Sequence, residues 1–335
     1  MRPRDRLIVV LSTLFVNFVA TTHAAEEPKR PWTSPSSPEA EFGHGLTENQ
    51  ARNGWISLFD GKSDFGWLGS KIENGKLEGG KTTTHFGSWQ LSGHAVRGGK
   101  LMVGGIEFTV LKGDFRLGLN WDASGPLKLG EVAVSRLILR PLGMKSVFNN
   151  KDLEGWQIIR RTNVPKERQT KWEVVGGLIT AVGGPGALEL QQQFGDLVLQ
   201  IDVRTRDKLV NGGLFFRAIP GDFMNGYEAQ IFNACYDHDP AQPVRYSTGG
   251  IDDRQLARRL VSRDKQKFTM TVIAHGPHIA TWVNGFQMTD WTDKRQPHEN
   301  PRRGLRTKPG TIQLQAHDPG TDLEFSNIRV MSLQR

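Results

Sequence analysis

Leu197-Val198-Leu199-Gln200-Ile201-Asp202-Val203-Arg204 alternates in hydropathy, with Leu197, Leu199, Ile201 and Val203 on one side of an extended chain and Gln200, Asp202 and Arg204 on the other. That period of two belongs to a half-buried antiparallel strand. The pattern recurs downstream. Leu214 and Phe216 oppose Phe215 and Arg217, Tyr227, Ala229 and Ile231 oppose Glu228, Gln230 and Phe232, and Ile312, Leu314 and Ala316 oppose Gln313, Gln315 and His317. Turn signals such as Gly176-Gly177, Asn284-Gly285 and Lys308-Pro309-Gly310 separate these runs. The 38 glycines and 17 prolines show no Gly-x-y period, so they read as dense turns between short strands. The fold class is therefore all-β, with two sheets packed face to face. Helix is expected only at Thr47 to Asn53, with Thr47 as N-cap, Gln50 at the capping-box position and Gly54 as the stop, and at Asp253 to Leu260.

A chain of 335 residues fits two domains, and it repeats itself. Phe59 to Trp67 and Phe148 to Trp156 are both spaced by eight. Trp89-Gln90-Leu91 resembles Trp172-Glu173-Val174, Gly113-Asp114-Phe115 resembles Gly195-Asp196-Leu197, and Val132 to Leu137 resembles Leu323 to Ile328. Four correspondences in one order predict a duplication. The first copy, 54–143, has only Asp122 to Glu131 between its last two landmarks and is a cut-down sandwich expected to pack on the full copy, 144–335.

Arg2, Arg4 and Arg6 before the apolar run Leu7 to Ala20, with small residues near Ala24, read as a signal peptide over 1–24 and an exported protein. No other segment is apolar enough to span a membrane, so no span is expected after cleavage. Residues 25–53 form a Pro-rich tether and the short helix. Removing the signal leaves 40 basic against 34 acidic residues, scattered without a stripe, and no nucleic-acid partner is expected. With 37% hydrophobic and 23% charged residues, a disordered chain and a multi-span membrane protein are excluded. The lone Cys235 has no disulfide partner and reads as a small, partly buried hydrophobe in preference to a catalytic nucleophile. His275, His278 and His298 lie near turns and are expected to be solvated.

The outward parity of three strands brings together Arg217, Glu228, Gln230, Gln315 and His317, a set able to bind hydroxyls and move a proton. All three tyrosines, Tyr227, Tyr236 and Tyr246, fall within twenty residues of one another, beside Phe223, Asp237, His238 and Asp239. Aromatic rings over a polar sheet suit a sugar. Asp237 and His238 also have metal-ligand chemistry, although adjacent residues rarely chelate one ion together.

The second copy resembles the 3-keto-disaccharide hydrolase family, also called 3-keto-glucoside lyase and 3-keto-2-hydroxy-glucal hydratase. The matching stretches run in order. They are Phe148 to Trp156, Asn211-Gly212-Gly213-Leu214-Phe215-Phe216-Arg217, Tyr227-Glu228-Ala229-Gln230-Ile231, Ser247-Thr248-Gly249-Gly250-Ile251, Trp282-Val283-Asn284-Gly285, Leu314-Gln315-Ala316-His317-Asp318 and Glu324-Phe325-Ser326-Asn327-Ile328. Asp264-Lys265-Gln266-Lys267 and Asp252-Asp253 depart from the family pattern. The resemblance implies a concanavalin-A-like jelly-roll sandwich and a glycoside or oligosaccharide oxidised at C3. On that face His317 is the first choice of base and Glu228 the second, with Arg217, or a divalent metal ion in its place, on the enolate. Asn211, Tyr227, Gln230, Tyr236, Asp237, Gln315 and Asp318 are the expected sugar contacts. A lectin-like carbohydrate-binding module and a structural cell-envelope protein are the alternatives. Glu228 and His317 on one parity favour the enzyme.

Overall fold

A computed structural model describes residues 30–161 and 163–334. The expected signal peptide, 1–24, and the start of the expected tether lie outside the described residues. The fold is the all-β sandwich that the alternation predicts, built as two sheet pairs stacked on one another. None of the described helices is long and apolar enough to cross a membrane.

The second pair carries the larger core. Its eight-stranded sheet orders Lys171–Val175, Leu178–Val182, Asp322–Ser332, Leu197–Thr205, Lys267–His275, His278–Val283 and Phe286–Thr292, with Lys145–Ser146 also on Asp322–Ser332. Its five-stranded sheet orders Trp156–Ile159, Gly186–Phe194, Gly310–Ala316, Gly212–Ala218 and Tyr227–Ile231. Between them lie Leu199, Ile201, Leu214, Phe216, Ala229, Ile231 and Leu314, the inward parity of the sequence.

The first pair repeats this order of neighbours. Lys71–Glu73, Lys76–Glu78, Ala133–Pro141, Trp89–Arg97 and Gly113–Leu119 form one sheet, with Ile56–Ser57 also on Ala133–Pro141. Trp67–Leu68, Lys81–Phe86, Gly125–Lys128, Gly99–Val103 and Ile106–Val110 form the other. The opening turns match in detail. Trp67 Nε1 donates to the Leu58 carbonyl at 2.6 Å and Trp156 Nε1 to the Val147 carbonyl at 3.0 Å. Two of the four sequence landmarks shift, however. Trp89 lies on the strand that answers Leu197–Thr205, not the strand of Trp172, and Gly113–Leu119 answers Lys267–His275. Between corresponding strands the two pairs differ in length at two places. Leu111-Lys112 stands where the second pair has residues 232–266, and residues 120–124 stand where it has 276–309.

The two pairs pack through a face expected to be solvated. Val198, Ile273, Ala280 and Trp282, on the far side of the eight-stranded sheet, join the first pair's core. Gln200 donates through Nε2 to the Gly54 carbonyl at 2.8 Å, and Trp282 Nε1 donates to the Ser57 carbonyl at 3.0 Å. His275 and His278 are half-buried here rather than solvated, and His85 stacks on His275 at 4.2 Å between ring centroids.

The tether reading also changes. Residues 31–45 lie bound as a strap. Trp32–Thr33 pairs antiparallel with Cys235–Tyr236 in a small sheet completed by Asp239–Pro243. Ser34 Oγ donates to Asp264 at 2.8 Å, Arg263 Nε to the Ser37 carbonyl at 2.7 Å, and Arg259 to Glu41 at 2.7 and 2.9 Å. Prolines lack donors, but their neighbours' carbonyls and hydroxyls remain available, and the second sandwich uses them. Helix Glu48–Arg52 has the expected capping box between Thr47 and Gln50. Asp253 to Leu260 is not helical.

Candidate active site

The outward face of the five-stranded sheet lies under loops that leave a hollow of about 520 Å³, within the roughly 300–1,000 Å³ usual for small-molecule sites. Its floor comes from three adjacent strands. Gly212–Ala218 lies between Gly310–Ala316 and Tyr227–Ile231, with Gly213 opposite both Gln315 and Gln230. Gly213 matters because a Cβ there would stand 2.2 Å from Glu228 Oε1. Only hydrogen at that position lets the carboxylate lie over the neighbouring strand.

Glu228 is 3% exposed. Burial pushes its carboxyl up to about 8 from the ordinary 4.5; the Arg302 guanidinium opposes the shift and Asp252 adds to it. Arg302 joins the two acids. One terminal nitrogen lies 2.8 Å from Glu228 Oε2 and the other pairs with Asp252. Asp252 is placed by the segment 247–252, which runs beside Tyr227–Ile231 through the Gln230 amide on the Gly250 carbonyl and the Asp252 amide on the Glu228 carbonyl. The result is two carboxyls around one guanidinium, with the raised carboxyl able to hold a proton near neutral pH.

Of the residues expected from sequence, Glu228, Gln230, Gln315, His317, Asn211 and Asp318 all line this hollow. Asn211 Oδ1 and Gln315 Oε1 are buried acceptors without a hydrogen-bond partner, which suits them to ligand hydroxyls. His317 is half-exposed, its Nδ1 3.1 Å from Asp318 Oδ2. It stands at the Asn211 end of the floor, whereas Glu228 stands at the Phe215 end.

Five expected residues are elsewhere. Arg217 is fully buried and paired with Asp196 at 2.8 Å, and it also donates to the carbonyls of Gly195, Gly276 and Arg306. A bulge between Phe215 and Ala218, with Arg217 at φ 48°, breaks the period of two that had assigned it to the hollow. Tyr227 faces the core, stacked on Phe216 at 5.8 Å, with its hydroxyl donating to Asp293 at 2.7 Å. Desolvation pushes that hydroxyl up to about 12. Tyr236 packs beside Phe232, Ala234 and Val244 without lining the hollow. Asp237 and His238 occupy an exposed turn with positive φ, and His238 Nδ1 lies 2.8 Å from the Ser34 carbonyl oxygen. Among the described residues no group of three or more His, Cys, Asp or Glu is gathered for a metal.

The hollow's other walls had no legible signal. Arg302 sits in an aperiodic loop, Asp252 in a position marked only as a departure, and Trp32 in the supposed tether. Tyr246, grouped with the other tyrosines by sequence alone, does line it.

Residues 143–331 match the model of the 3-keto-alpha-glucoside-1,2-lyase-like domain. No curated protein sequence matches the chain. Among solved structures, a presumptive glycosyl hydrolase from Parabacteroides distasonis is 18% identical over 57% of this chain and 94% of its own, with a TM-score of 0.45. The carbohydrate-binding module CBM66 from Bacillus subtilis is 15% identical over 53% and 96%, with a TM-score of 0.37. The Bacillus licheniformis beta-glucanase is 13% identical over 57% and 99%, with a TM-score of 0.39.

Proposed function

The chain belongs to the 3-keto-alpha-glucoside-1,2-lyase-like domain family, and on that premise we propose that its second sandwich cleaves glycosides oxidised at C3 by removing the C2 proton and expelling the C1 substituent. The observation that carries this reading is the buried Glu228 carboxyl paired with Arg302 in one hollow. A ketone at C3 acidifies the C2 hydrogen. Ionised Glu228 takes that proton, and the C–H electron pair becomes an enolate with its charge on the C3 oxygen. Arg302 keeps further N–H donors for that oxygen after its bonds to Glu228 and Asp252. Collapse of the enolate restores the C3 carbonyl, forms a C1–C2 double bond and breaks the C1–O bond. The departing oxygen takes the proton that Glu228 has just acquired. Water adding across the double bond gives net hydrolysis.

Glu228 rather than His317 is thus the proton carrier in this reading, and Arg302 replaces Arg217. His317 and Asp318 belong to the end that holds the leaving group. A lectin-like module would gain nothing from a carboxyl buried at a cost in this way, since neutral amides bind hydroxyls without it.

The shared strand order also supports the proposal that the first sheet pair is a shortened copy of the second. It lacks counterparts of 232–266 and 276–309, which supply Asp252 and Arg302, so we assign it no chemistry. Export remains a proposal resting on the N-terminal sequence alone.

The test is incubation of the protein with 3-keto-trehalose and measurement of released glucose. Turnover is expected, with unoxidised trehalose untouched. Glu228→Gln should lower kcat by about 10²–10⁴-fold, the usual worth of a placed base. Turnover retained in that variant removes Glu228 from the chemistry, and no turnover of any 3-keto-glycoside removes the reading itself.

A further inference from the structure

Trp32 stands out among the described residues because it is the only aromatic among the large hydrophobic side chains left exposed, at 48%. It also lines the hollow. It does not come from the matched domain, which begins at residue 143, but from the strap. The strap holds it firmly. Trp32 pairs in register with Tyr236, and Thr33 Oγ1 donates to the Cys235 carbonyl at 3.0 Å. The indole meets Phe232 edge-on at 5.3 Å and Tyr246 at 6.4 Å. A large ring fixed in advance, apolar and half-open to a polar hollow, loses little freedom when a ligand covers it.

Its position relative to Glu228 gives it a role. Phe232, on which Trp32 leans, follows Glu228 by four residues along Tyr227–Ile231 and its continuation, which is about 14 Å at ordinary strand rise. That separation leaves room for two sugar rings end to end. The unpartnered acceptor of Gln315 lies between the two ends and that of Asn211 at the Phe232 end.

We propose that Trp32 is the stacking platform for the second ring, the one that leaves, and that the strap thereby makes the site selective for disaccharide-sized glycosides. This rests on reading the hollow as the 3-keto-glycoside site. The C–H face of a pyranose covers the indole while the oxidised ring sits at Glu228 and Arg302. A glycoside with a methyl leaving group has nothing to place on Trp32.

The experiment compares wild type, Trp32→Ala and Trp32→Phe on substrates sharing the oxidised ring. These are 3-keto-trehalose and 3-keto-cellobiose against methyl 3-keto-α-glucoside and methyl 3-keto-β-glucoside. Trp32→Ala should lower kcat/KM about tenfold on whichever disaccharide is turned over, mainly through KM, and leave the methyl glycoside unchanged. Trp32→Phe should recover part of the loss, which separates the ring's role from any damage to the strap. Equal effects on both substrate classes, or none, overturn the platform while leaving the chemistry standing. If wild type turns over no 3-keto-glycoside, the chemistry falls, and calorimetric titration with trehalose and cellobiose decides the platform. Binding lost in Trp32→Ala supports it; binding unchanged in that variant, or absent from wild type, overturns it.

Discussion

Glu228 is a carboxyl held where it does not want to ionise. Its raised value, about 8 against an ordinary 4.5, has two consequences of opposite sign. As a base it works only once ionised, so kcat/KM on a 3-keto-glycoside should rise with pH through about 8 and then level. Arg302 lowers that carboxyl, so Arg302→Gln should move the limb to higher pH as well as slow the reaction. The fold responds the other way. Between pH 4.5 and about 8 the folded carboxyl keeps a proton that the unfolded chain has released, so stability falls as pH rises through that window. Glu228→Gln should therefore melt higher than wild type at pH 9, measured by calorimetry, while turning over far more slowly. A variant that melts lower at pH 9 contradicts the burial cost. At this scale the sequence was legible wherever alternation held. It gathered Glu228, Gln230, Gln315 and His317 into one hollow. It could not announce Arg302 or Asp252, because a charged residue in an aperiodic loop looks the same whether it faces solvent or a substrate.

Strands and loops explain the remaining misreadings. Arg217 lost its assignment to a single bulge, which turned an outward position into a buried one. That changes what a mutation there does. Arg217→Ala leaves Asp196 buried without its guanidinium, so the protein should lose about 3–5 kcal/mol in urea unfolding. The pH limb of activity should stay in place at a temperature where the variant is folded. Unchanged stability with lost turnover would return Arg217 to the site. The segment Asp253 to Leu260 failed as a helix for a related reason. Arg258 is drawn to Asp60, Arg259 to Glu41, and the amide oxygen of Gln255 to the Asp290 backbone amide. Those partners lie on different elements, and one helical face cannot serve them all, so tertiary contacts override helix propensity. Where the needed partner was local, as for Thr47 and Gln50, the sequence reading held.

The stacking of the two sheet pairs decides what counts as surface. Gln200 and Thr271 carry the polar parity of exposed positions, yet each is under 5% exposed, with Gln200 bonded to Thr271 and to the Gly54 carbonyl at the start of the first pair. No single-strand pattern encodes a neighbour of that size. The same contact half-buries three imidazoles. His85 stacks on His275, and His278 Nε2 lies 3.0 Å from Asp290, which also accepts from Thr83. Burial drives His85 down to about 4 from 6.5, with His275, His278 and Lys81 adding to the fall and Asp196 opposing it. The sign follows directly. Between pH 6.5 and about 4 the unfolded chain takes up a proton on His85 that the folded protein refuses, so stability is present above 6.5 and lost as pH falls through that window. The melting temperature of wild type should thus drop on acidification from pH 6.5 to 4. His85→Gln, which cannot charge, should show a shallower drop over the same range. Equal slopes in the two proteins would assign the acid sensitivity to other groups and leave His85 as packing alone.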